Sequence, residues 1–248
     1  MAKIGIIGGS GLENLDFFEK AKKIKAKTKY GAPSSDLLCG KIGNNEVVIL
    51  SRHDKNHTIT PSKINNRANI MALKEIGCTH IIATTACGSL QRYIHRGDVV
   101  ILNQFIDFTK NRDTTFYDQF EEGILNHTPM SDPFNEKLRN ILIAAASQLK
   151  MRFHSEGTIA TIEGPRFSSQ AESRMFQMWG ADVINMTTAP EVILANEVGI
   201  PYAAIALSTD YDCWKVDENP VTWEEVLSVF KNNVENLEQL LLAVIDSI

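Results

Sequence analysis

Apolar and polar positions along the chain follow two periods, and each period indicates one kind of element. Short apolar runs rich in β-branched residues predict strands at 3–7, 46–50, 80–84, 99–105, 158–162, 183–186 and 203–207. Apolar residues at helical spacing predict helices at 61–76, 134–149, 169–179, 190–198 and 223–245. Because strands and helices alternate, the pattern predicts an α/β layered fold with a largely parallel sheet, in one domain over residues 1–248.

The polar and glycine-rich segments that follow the strands indicate where a ligand binds. In α/β folds of this kind, ligands lie beyond the carboxyl ends of the strands, so we expect these segments to meet at one site. A turn is predicted at Gly88, and residues 112–132 contain turn residues and aromatics but little periodicity. Loops of that length are usually functional or disordered.

Composition and charge exclude several classes of protein. The chain has 248 residues, of which 44% are hydrophobic, and this is enough to bury a full core. A formal net charge of -5 argues against a nucleic-acid partner, and the lack of a long apolar run argues against a membrane span. The N-terminus reads as a strand and a turn rather than a signal peptide, which predicts a cytoplasmic protein. Four cysteines without CxxC spacing predict buried free thiols and no metal site: Cys39, Cys78, Cys87 and Cys213.

The first candidate segment reads Gly-Gly-Ser-Gly at residues 8–11, directly after a strand. Glycines let the backbone come close to a ligand and expose N–H groups to an anion, and the Ser10 hydroxyl adds a donor. The segment lacks the third glycine of the dinucleotide fingerprint and the Gly-Lys-Ser of a phosphate-binding P-loop. A tight turn without a ligand is the alternative interpretation.

Two further segments carry groups that suit an oxyanion. Arg52 and His53 follow a strand, and an arginine offers phosphate oxygens a planar fork of donors. Residues 84–89 read Thr-Thr-Ala-Cys-Gly-Ser, so hydroxyls and backbone N–H groups lie together there. The alternatives are a surface pair or a capped loop at Arg52 and His53, and a plain strand-to-helix turn at 84–89. His57 is expected to brace its loop.

The remaining segments suit a flat base and a sugar. Phe167 and Ser168 lie in the run 163–169, where an aromatic ring beside hydroxyls could stack on a base. Residues 185–188 read Asn-Met-Thr-Thr, in which Met186 can contact rings or sugars softly and Thr187 can reach a phosphate oxygen. Residues 208–212 hold two acids two positions apart, which point the same way if the backbone stays extended. Solvated loop acids are the alternative.

Taken in order, these segments resemble those of the 5'-methylthioadenosine phosphorylases, a family within the trimeric purine nucleoside phosphorylases. The resemblance extends from Ile4 to the last helix and implies a three-layer α/β/α phosphorylase fold and a homotrimer. It implies a phosphate site made of Ser10, Arg52, His53, Thr85, Ala86 and Thr187. It implies substrate contacts from Phe167, Ser168, Met186, Thr209, Asp210, Asp212, His127 and Trp223.

Within that set, the resemblance gives individual residues separate roles. Ser168 and Trp223 fall where the family tunes its substrate choice, and His127 matches a residue that a neighbouring subunit lends to the 5'-substituent. Ser10 stands where the family often has threonine, which keeps the hydroxyl. Animal members continue beyond the position of Ile248, so we expect a more open 5'-pocket that Trp223 refills in part.

The activity implied is cleavage of 5'-methylthioadenosine by phosphate into adenine and 5-methylthioribose 1-phosphate, a step of purine and methionine salvage. Inorganic phosphate is then a co-substrate, and no cofactor is expected. Asp210 is the candidate acid that protonates the leaving purine at N7, with its pKa raised by burial and by Asp212. A protonated Asp210 and an ionised Asp212 together match N7 and the amino group of adenine, so both are assigned catalytic roles.

Four alternatives are distinguishable from this hypothesis. A phosphorylase of 6-oxopurines would not favour two aspartates facing the base. A nucleosidase would use water and would not need Arg52 and the hydroxyls. An NAD-dependent oxidoreductase would need the glycine fingerprint that residues 8–11 lack. A purine-binding sensor would show no turnover.

Overall fold

In the computed structural model, residues 2–8, 18, 21–123, 125–217 and 222–248 are described. The strands in these ranges are β1 Lys3–Gly8, β2 Lys22–Ile24, β3 Leu37–Ile42, β4 Asn45–Ser51, β5 His80–Ser89, β6 Val99–Ile101, β7 Gln104–Phe108, β8 Phe153–His154, β9 Thr158–Ile162, β10 Val183–Asn185 and β11 Tyr202–Asp210. The helices are α1 Asn66–Glu75, α2 Glu136–Gln148, α3 Gln170–Met178, α4 Thr188–Glu197, α5 Trp223–Lys231 and α6 Val234–Ser247.

The strands form one mixed sheet that branches at β5. The first half of β5 lies between β1 and β11, parallel to both, and its last two residues pair antiparallel with β10. One arm of the sheet runs β2-β3-β4-β1-β5-β10-β9-β7, and the other continues from β5 through β11 and β6 to β8. Since six of the ten strand pairs are parallel, the predicted mostly parallel α/β fold is confirmed.

Alternate residues of the central strands contribute to two cores, one on each face of the sheet. In β11, Tyr202, Ala204 and Ala206 face one core, and Ala203, Ile205 and Leu207 face the other. The first core is covered by α1 and α4, and the second by α2, α5 and α6. Helices therefore cover both faces of the central sheet, as in a three-layer α/β/α architecture.

Two predicted helices differ from the structure. The helix predicted at 61–76 starts at Asn66, because the Asn65 side chain caps it by accepting from the backbone N–H of Ala68, and Pro61–Lys63 forms a separate 3-10 turn. The single helix predicted at 223–245 is broken between Lys231 and Val234 into α5 and α6. The apolar stripe alone did not reveal that break, because it continues on both sides.

Several strand predictions were also wrong. The strand predicted at 99–105 is two strands, β6 and β7, with Leu102 and Asn103 between them. The turn predicted at Gly88 does not form, since β5 continues to Ser89 and Gly88 pairs with Ile184. Strands β2, β3 and β8 were not predicted, because they are short or lack strict alternation of buried and exposed positions.

All four cysteines are free; Cys78 and Cys87 are buried, and Cys39 and Cys213 are half-buried. The predicted free thiols are therefore confirmed, although full burial is seen for only two of them. None of the helices in the described part of the chain has the length and apolar character that crossing a bilayer requires.

Candidate functional site

A cavity opens at the carboxyl ends of β4, β5, β10 and β11, beside the point where the sheet branches. Its walls come from the end of β4, the second half of β5, the β9–α3 loop, the β10–α4 junction, the end of β11 and α5. The lining residues are Arg52, His53, His57, Pro61, Thr85, Ala86, Cys87, Gly88, Ile162, Phe167, Ser168, Ile184, Asn185, Met186, Thr187, Thr209, Asp210, Asp212 and Val226. The segments predicted to meet at one site and described in the structure do so.

Arg52 lies at one end of the cavity, directly after β4, and only 1% of its surface is exposed. Its Nε donates to one carboxylate oxygen of Glu191, and its Nη2 donates to the other at 3.0 Å. Its Nη1 donates to the carbonyl of Thr84 at 2.9 Å. This places a fixed, buried positive group at the wall of the cavity.

His53 lies beside Arg52, and its ring is oriented by the backbone. Its Nδ1 is 2.8 Å from the carbonyl oxygen of Ile59, so we assign the hydrogen of the neutral ring to Nδ1. Nε2 is then an acceptor in the neutral ring and a donor only when the ring is protonated. His57 stacks on it at 4.4 Å between ring centroids, with a left-handed backbone at φ 54°. The role predicted for His57, bracing this loop, agrees with that stacking.

A carboxamide organises the hydroxyls at this end of the cavity. Asn185 Nδ2 donates to the hydroxyl oxygens of Thr188 at 2.6 Å, Thr85 at 3.0 Å and Thr187 at 3.5 Å. The Thr85 hydroxyl in turn donates to the carbonyl of Ala86 at 3.0 Å. Thr187 is the N-cap of α4, and its side chain makes no capping hydrogen bond. Hydroxyls and a helix N-terminus thus lie beside Arg52, a combination that suits an anion.

Two buried carboxylates line the cavity from the end of β11, which β1 and β5 separate from β4 in the sheet. Asp210 and Asp212 are 5% and 7% exposed. Asp210 accepts from the Thr209 hydroxyl and from the backbone N–H of Asp212, both at 2.8 Å. The sequence argument for their proximity assumed an extended backbone, but Asp212 has φ 48°. A turn closed by the Asp210 side chain, rather than strand alternation, brings the two acids together.

Burial changes the proton affinity of both acids. Burial, together with the charge of Asp212 and against hydrogen bonds from Thr209 and the Asp212 backbone, raises the pKa of Asp210 to about 6. Burial also raises the pKa of Asp212. With a pKa near 6, a buried Asp210 can donate a proton near neutral pH.

Apolar side chains also line the cavity. Phe167 is 42% exposed at the rim, and Met186, Ile162, Ile184 and Val226 lie further in. Three predicted site residues are not seen to line the cavity: Ser10, Trp223 and His127. Ser10 and the Trp223 side chain lie outside the described residues. His127 is described, exposed, and contacts the Phe120 ring at 5.3 Å between centroids.

The sequence interpretation missed several groups that shape the site. Asn185 was quoted within a motif but given no role, and neither Glu191 nor Tyr202 was considered. Glu191 is the one charged position near the middle of the apolar segment Thr188–Glu197, and it is fully buried. A lone acid in an apolar helix is costly to bury without a partner, and that composition could have identified it.

Gly88 leaves the space that the two acids occupy. A Cβ added there would lie 2.8 Å from Asp210 Oδ1 and 3.3 Å from Asp212 Cβ. We therefore expect Gly88→Ala to displace the carboxylates and to lower kcat/KM for the nucleoside that the resemblance implies by about 100-fold, while the protein stays folded. Steady-state kinetics and thermal unfolding test this.

The matched control for that variant is Gly5→Ala in the neighbouring strand β1. The atoms nearest to a Cβ at Gly5 would be those of Leu73 and Cys78, at 3.3–3.4 Å, and neither residue lines the cavity. We expect the control to lose some stability and no activity. A Gly88→Ala enzyme with kinetics equal to the control would show that the carboxylates do not depend on this close approach.

Three kinds of comparison relate the chain to known proteins. A family model described as "Phosphorylase superfamily" matches residues 3–246. The S-methyl-5'-thioadenosine phosphorylase of Xenopus tropicalis is 53% identical over 99% of this chain and 89% of its own length. That of Danio rerio is 52% identical over the same shares.

Solved structures give the same picture. Methylthioadenosine phosphorylase from Schistosoma mansoni in complex with adenine has a TM-score of 0.95 and 43% identity, over 100% of this chain and 92% of that one. A single-site variant of the adenosine/methylthioadenosine phosphorylase from that organism, in complex with methylthioadenosine, has a TM-score of 0.92 and 42% identity over the same shares.

Proposed function

The chain belongs to the phosphorylase superfamily, and from this we propose that it is an enzyme that cleaves 5'-methylthioadenosine with phosphate. The products are adenine and 5-methylthioribose 1-phosphate. One observation supports this most directly: the same cavity is lined by a buried arginine after β4, by threonine hydroxyls, and by two buried carboxylates at the end of β11, which β1 and β5 separate from β4. Phosphorolysis of a nucleoside needs an anion site near the sugar and polar groups that recognise the base.

In the proposed reaction, the bond between C1' and N9 breaks with its electron pair moving to the purine. Asp210 donates a proton to N7, which neutralises the charge that develops on the leaving base. A phosphate oxygen then bonds to C1', which has oxocarbenium character, and the sugar phosphate forms. Arg52 and the hydroxyls of Thr85 and Thr187 hold phosphate near C1', so attack becomes effectively unimolecular.

Base identity follows from the protonation of the two acids. A protonated Asp210 donates to N7 of adenine, and an ionised Asp212 accepts from its amino group. A 6-oxopurine would place an oxygen acceptor against the Asp212 carboxylate, and an unmatched buried pair of this kind costs about 1–3 kcal/mol. Phe167 and Met186 contact the base and the sugar in this arrangement, with Ser168 and Thr209 beside them.

The same proposal extends to the domain organisation, cofactor requirement, location and assembly of the chain. The chain acts as one domain, needs no cofactor beside phosphate, works in the cytoplasm and assembles as a homotrimer. The trimer is supported by the exposure of Phe120 and Leu125, 42% and 71%, in the loop that carries His127. In that assembly His127 would reach the 5'-substituent in a neighbouring subunit. Sedimentation equilibrium tests the assembly directly.

Incubation of the protein with methylthioadenosine, with and without phosphate, tests the function. We expect free adenine only when phosphate is present, because Arg52 and the hydroxyls are placed for an anion and not for water. Adenine release without phosphate would instead identify a nucleosidase. Turnover of methylthioinosine but not of methylthioadenosine would identify a 6-oxopurine phosphorylase and contradict the assignment of the two acids.

A further inference from the structure

We propose that Glu191, supported by Tyr202, is a positioning residue that holds the Arg52 guanidinium in the orientation that binds phosphate. The inference rests on the proposed function, since it assigns phosphate to the Arg52 end of the cavity. Glu191 does not line the cavity and would not touch the substrate. Its effect on the reaction would therefore pass through Arg52.

The three side chains form a chain of hydrogen bonds that leads from the core to the cavity wall. Arg52, Glu191 and Tyr202 are 1%, 0% and 1% exposed. Both carboxylate oxygens of Glu191 accept from Arg52, from Nε and Nη2, and the second also accepts from the Tyr202 hydroxyl at 2.9 Å. Burial and the charge of Glu191 raise the pKa of Tyr202 well above its usual range, so its hydroxyl stays protonated and donates.

This arrangement fixes the plane of the guanidinium. An arginine side chain has many rotamers, and a fork–fork pair with a carboxylate selects one of them. The Nη1 hydrogen bond to the Thr84 carbonyl fixes the third corner of the group. A guanidinium held at Nε, Nη1 and Nη2 does not have to be ordered when phosphate arrives, which lowers the cost of binding.

A contribution to folding stability explains the buried Arg52–Glu191 pair less well than a role in positioning Arg52. Removing two ions from water is expensive, and well-packed apolar residues of similar volume are often as stable as a buried ion pair. The surroundings of Glu191 are apolar, since Val192, Leu194 and Ala195 of α4 belong to the first core. An ion pair built into such a helix is better explained by what its arginine does at the cavity.

Helix α4 connects this pair to the second part of the phosphate site. Thr187 is the N-cap of α4 and lines the cavity, and Glu191 lies in the first turn of the helix, four residues later. Residues four apart lie on the same face of a helix. One rigid element thus sets both the Thr187 hydroxyl and, through Glu191, the arginine, so their spacing is constant.

A rival explanation predicts a change in phosphate affinity in the opposite direction when the charge of Glu191 is removed. If Glu191 only reduced the positive field of Arg52, removing its charge would strengthen phosphate binding. If it positions Arg52, removing the charge weakens phosphate binding, because an amide offers one acceptor where the arginine needs two. The direction of the change in phosphate affinity therefore separates the two explanations.

The experiment measures KM for phosphate and for methylthioadenosine in Glu191→Gln, Glu191→Asp and Tyr202→Phe. We expect Glu191→Gln to raise KM for phosphate by about 10- to 100-fold, equivalent to losing charged hydrogen bonds, with KM for the nucleoside changed less than about twofold. Glu191→Asp keeps the charge and should recover part of the loss. Tyr202→Phe removes one hydrogen bond to Glu191 and should raise KM for phosphate by about threefold to tenfold.

The matched control is Glu197→Gln on the same helix. Glu197 also accepts hydrogen bonds at both oxygens, from the Thr115 hydroxyl at 2.7 Å and the Phe116 backbone at 2.6 Å, but it is remote from the cavity lining. We expect its loss to lower the melting temperature without changing KM for phosphate. A purely structural role of Glu191 would make the two glutamine variants behave alike.

Ligand-induced stabilisation gives a second reading that does not need turnover. Phosphate should raise the melting temperature of the wild type much more than that of Glu191→Gln, whereas adenine should stabilise both equally. An unchanged or lower KM for phosphate in Glu191→Gln would overturn the inference while wild-type phosphorolysis stands. A wild type that releases no adenine with phosphate would overturn the proposed function instead. If Glu191→Gln does not fold, Glu191→Asp and Tyr202→Phe carry the same test.

Discussion

Replacing Asp210 with asparagine should lower kcat/KM for methylthioadenosine by about 100- to 10,000-fold, the usual contribution of a general acid. Asparagine fills the same space and can still donate a hydrogen bond, but it cannot transfer a proton to N7. Asp210 is buried, and its pKa is raised to about 6, so a useful fraction is protonated near neutral pH. Steady-state kinetics with methylthioadenosine at saturating phosphate measure the loss.

The same variant should gain on 6-oxopurine nucleosides relative to the wild type, because an asparagine amide can donate hydrogen bonds to both N7 and O6 of a 6-oxopurine, whereas an ionised aspartate can only accept. The ratio of inosine to methylthioadenosine turnover is therefore expected to rise. Asp36→Asn is a suitable control, since Asp36 is exposed and does not line the cavity. Activity on methylthioadenosine equal to that of the control would remove Asp210 from the mechanism.

The pH profile gives an independent measure of the Asp210 proton. If the protonated form is the active one, kcat/KM of the wild type falls as the pH rises through about 6. Phosphate also titrates near neutrality, so the comparison that matters is with Asp210→Asn, in which this limb should vanish. A limb of the same position and depth in both proteins would assign it to phosphate or to another group.

At alkaline pH the Asp210→Asn variant should be more stable than the wild type, although it is less active. The pKa of Asp210 is 3.8 in the unfolded reference and about 6 in the folded protein, so folding is favoured by protonation. This stabilisation is fully present below about pH 4 and is lost as the pH rises through about 6. At pH 8 the Asp210→Asn variant does not bury a charge at this position. Its free energy of unfolding should therefore exceed that of the wild type by up to about 3 kcal/mol. Urea unfolding at pH 4 and pH 8 tests the sign.

The sequence predicted the main strands and helices because their periodicity follows burial in the two cores. The pattern of β11, with all nine residues buried, was long and apolar enough to predict a strand, whereas β2 and β3 have mixed burial and were missed. Site residues were predicted where they directly follow strands, as Arg52 follows β4 and Asp212 follows β11. Order along the chain is sufficient for that, since parallel strands bring their ends together.

Groups that act across the fold could not be predicted in the same way. Glu191 lies 139 residues from Arg52 along the chain, and nothing local connects the two. Gly88 was predicted to form a turn because glycine favours turns. It lies instead in strand β5, where the lack of a side chain leaves room for Asp210 and Asp212. Gly88 lies where the sheet branches at β5, and no periodicity within one element indicates that one strand has three neighbours.

Replacing Arg52 with lysine should raise KM for phosphate by about 100-fold or more and change KM for the nucleoside little. Lysine keeps a positive charge beside Glu191, so the protein should fold, but it lacks the fork that meets a carboxylate and phosphate at once. Each charged hydrogen bond lost costs about 1.5–3 kcal/mol, and two such bonds account for the expected change. Kinetics at varied phosphate measure it.

A matched buried arginine provides the control for Arg52→Lys. Arg139 on α2 donates to the carbonyls of Leu102 and Ser155 and to Glu136, outside the cavity lining. Arg139→Lys should cost stability without altering either KM. If Arg52→Lys behaved like this control, phosphate would have to bind elsewhere in the cavity.

Combining Arg52→Lys with Glu191→Gln then tests whether the glutamate acts through the arginine. In the wild-type background, Glu191→Gln should weaken phosphate binding strongly, whereas in the lysine background there is no guanidinium plane left to fix. The effect of the second substitution on KM for phosphate should therefore largely disappear. Additive losses would mean that Glu191 reaches phosphate by another route, such as its place on α4 below Thr187, even though each single substitution had the expected sign.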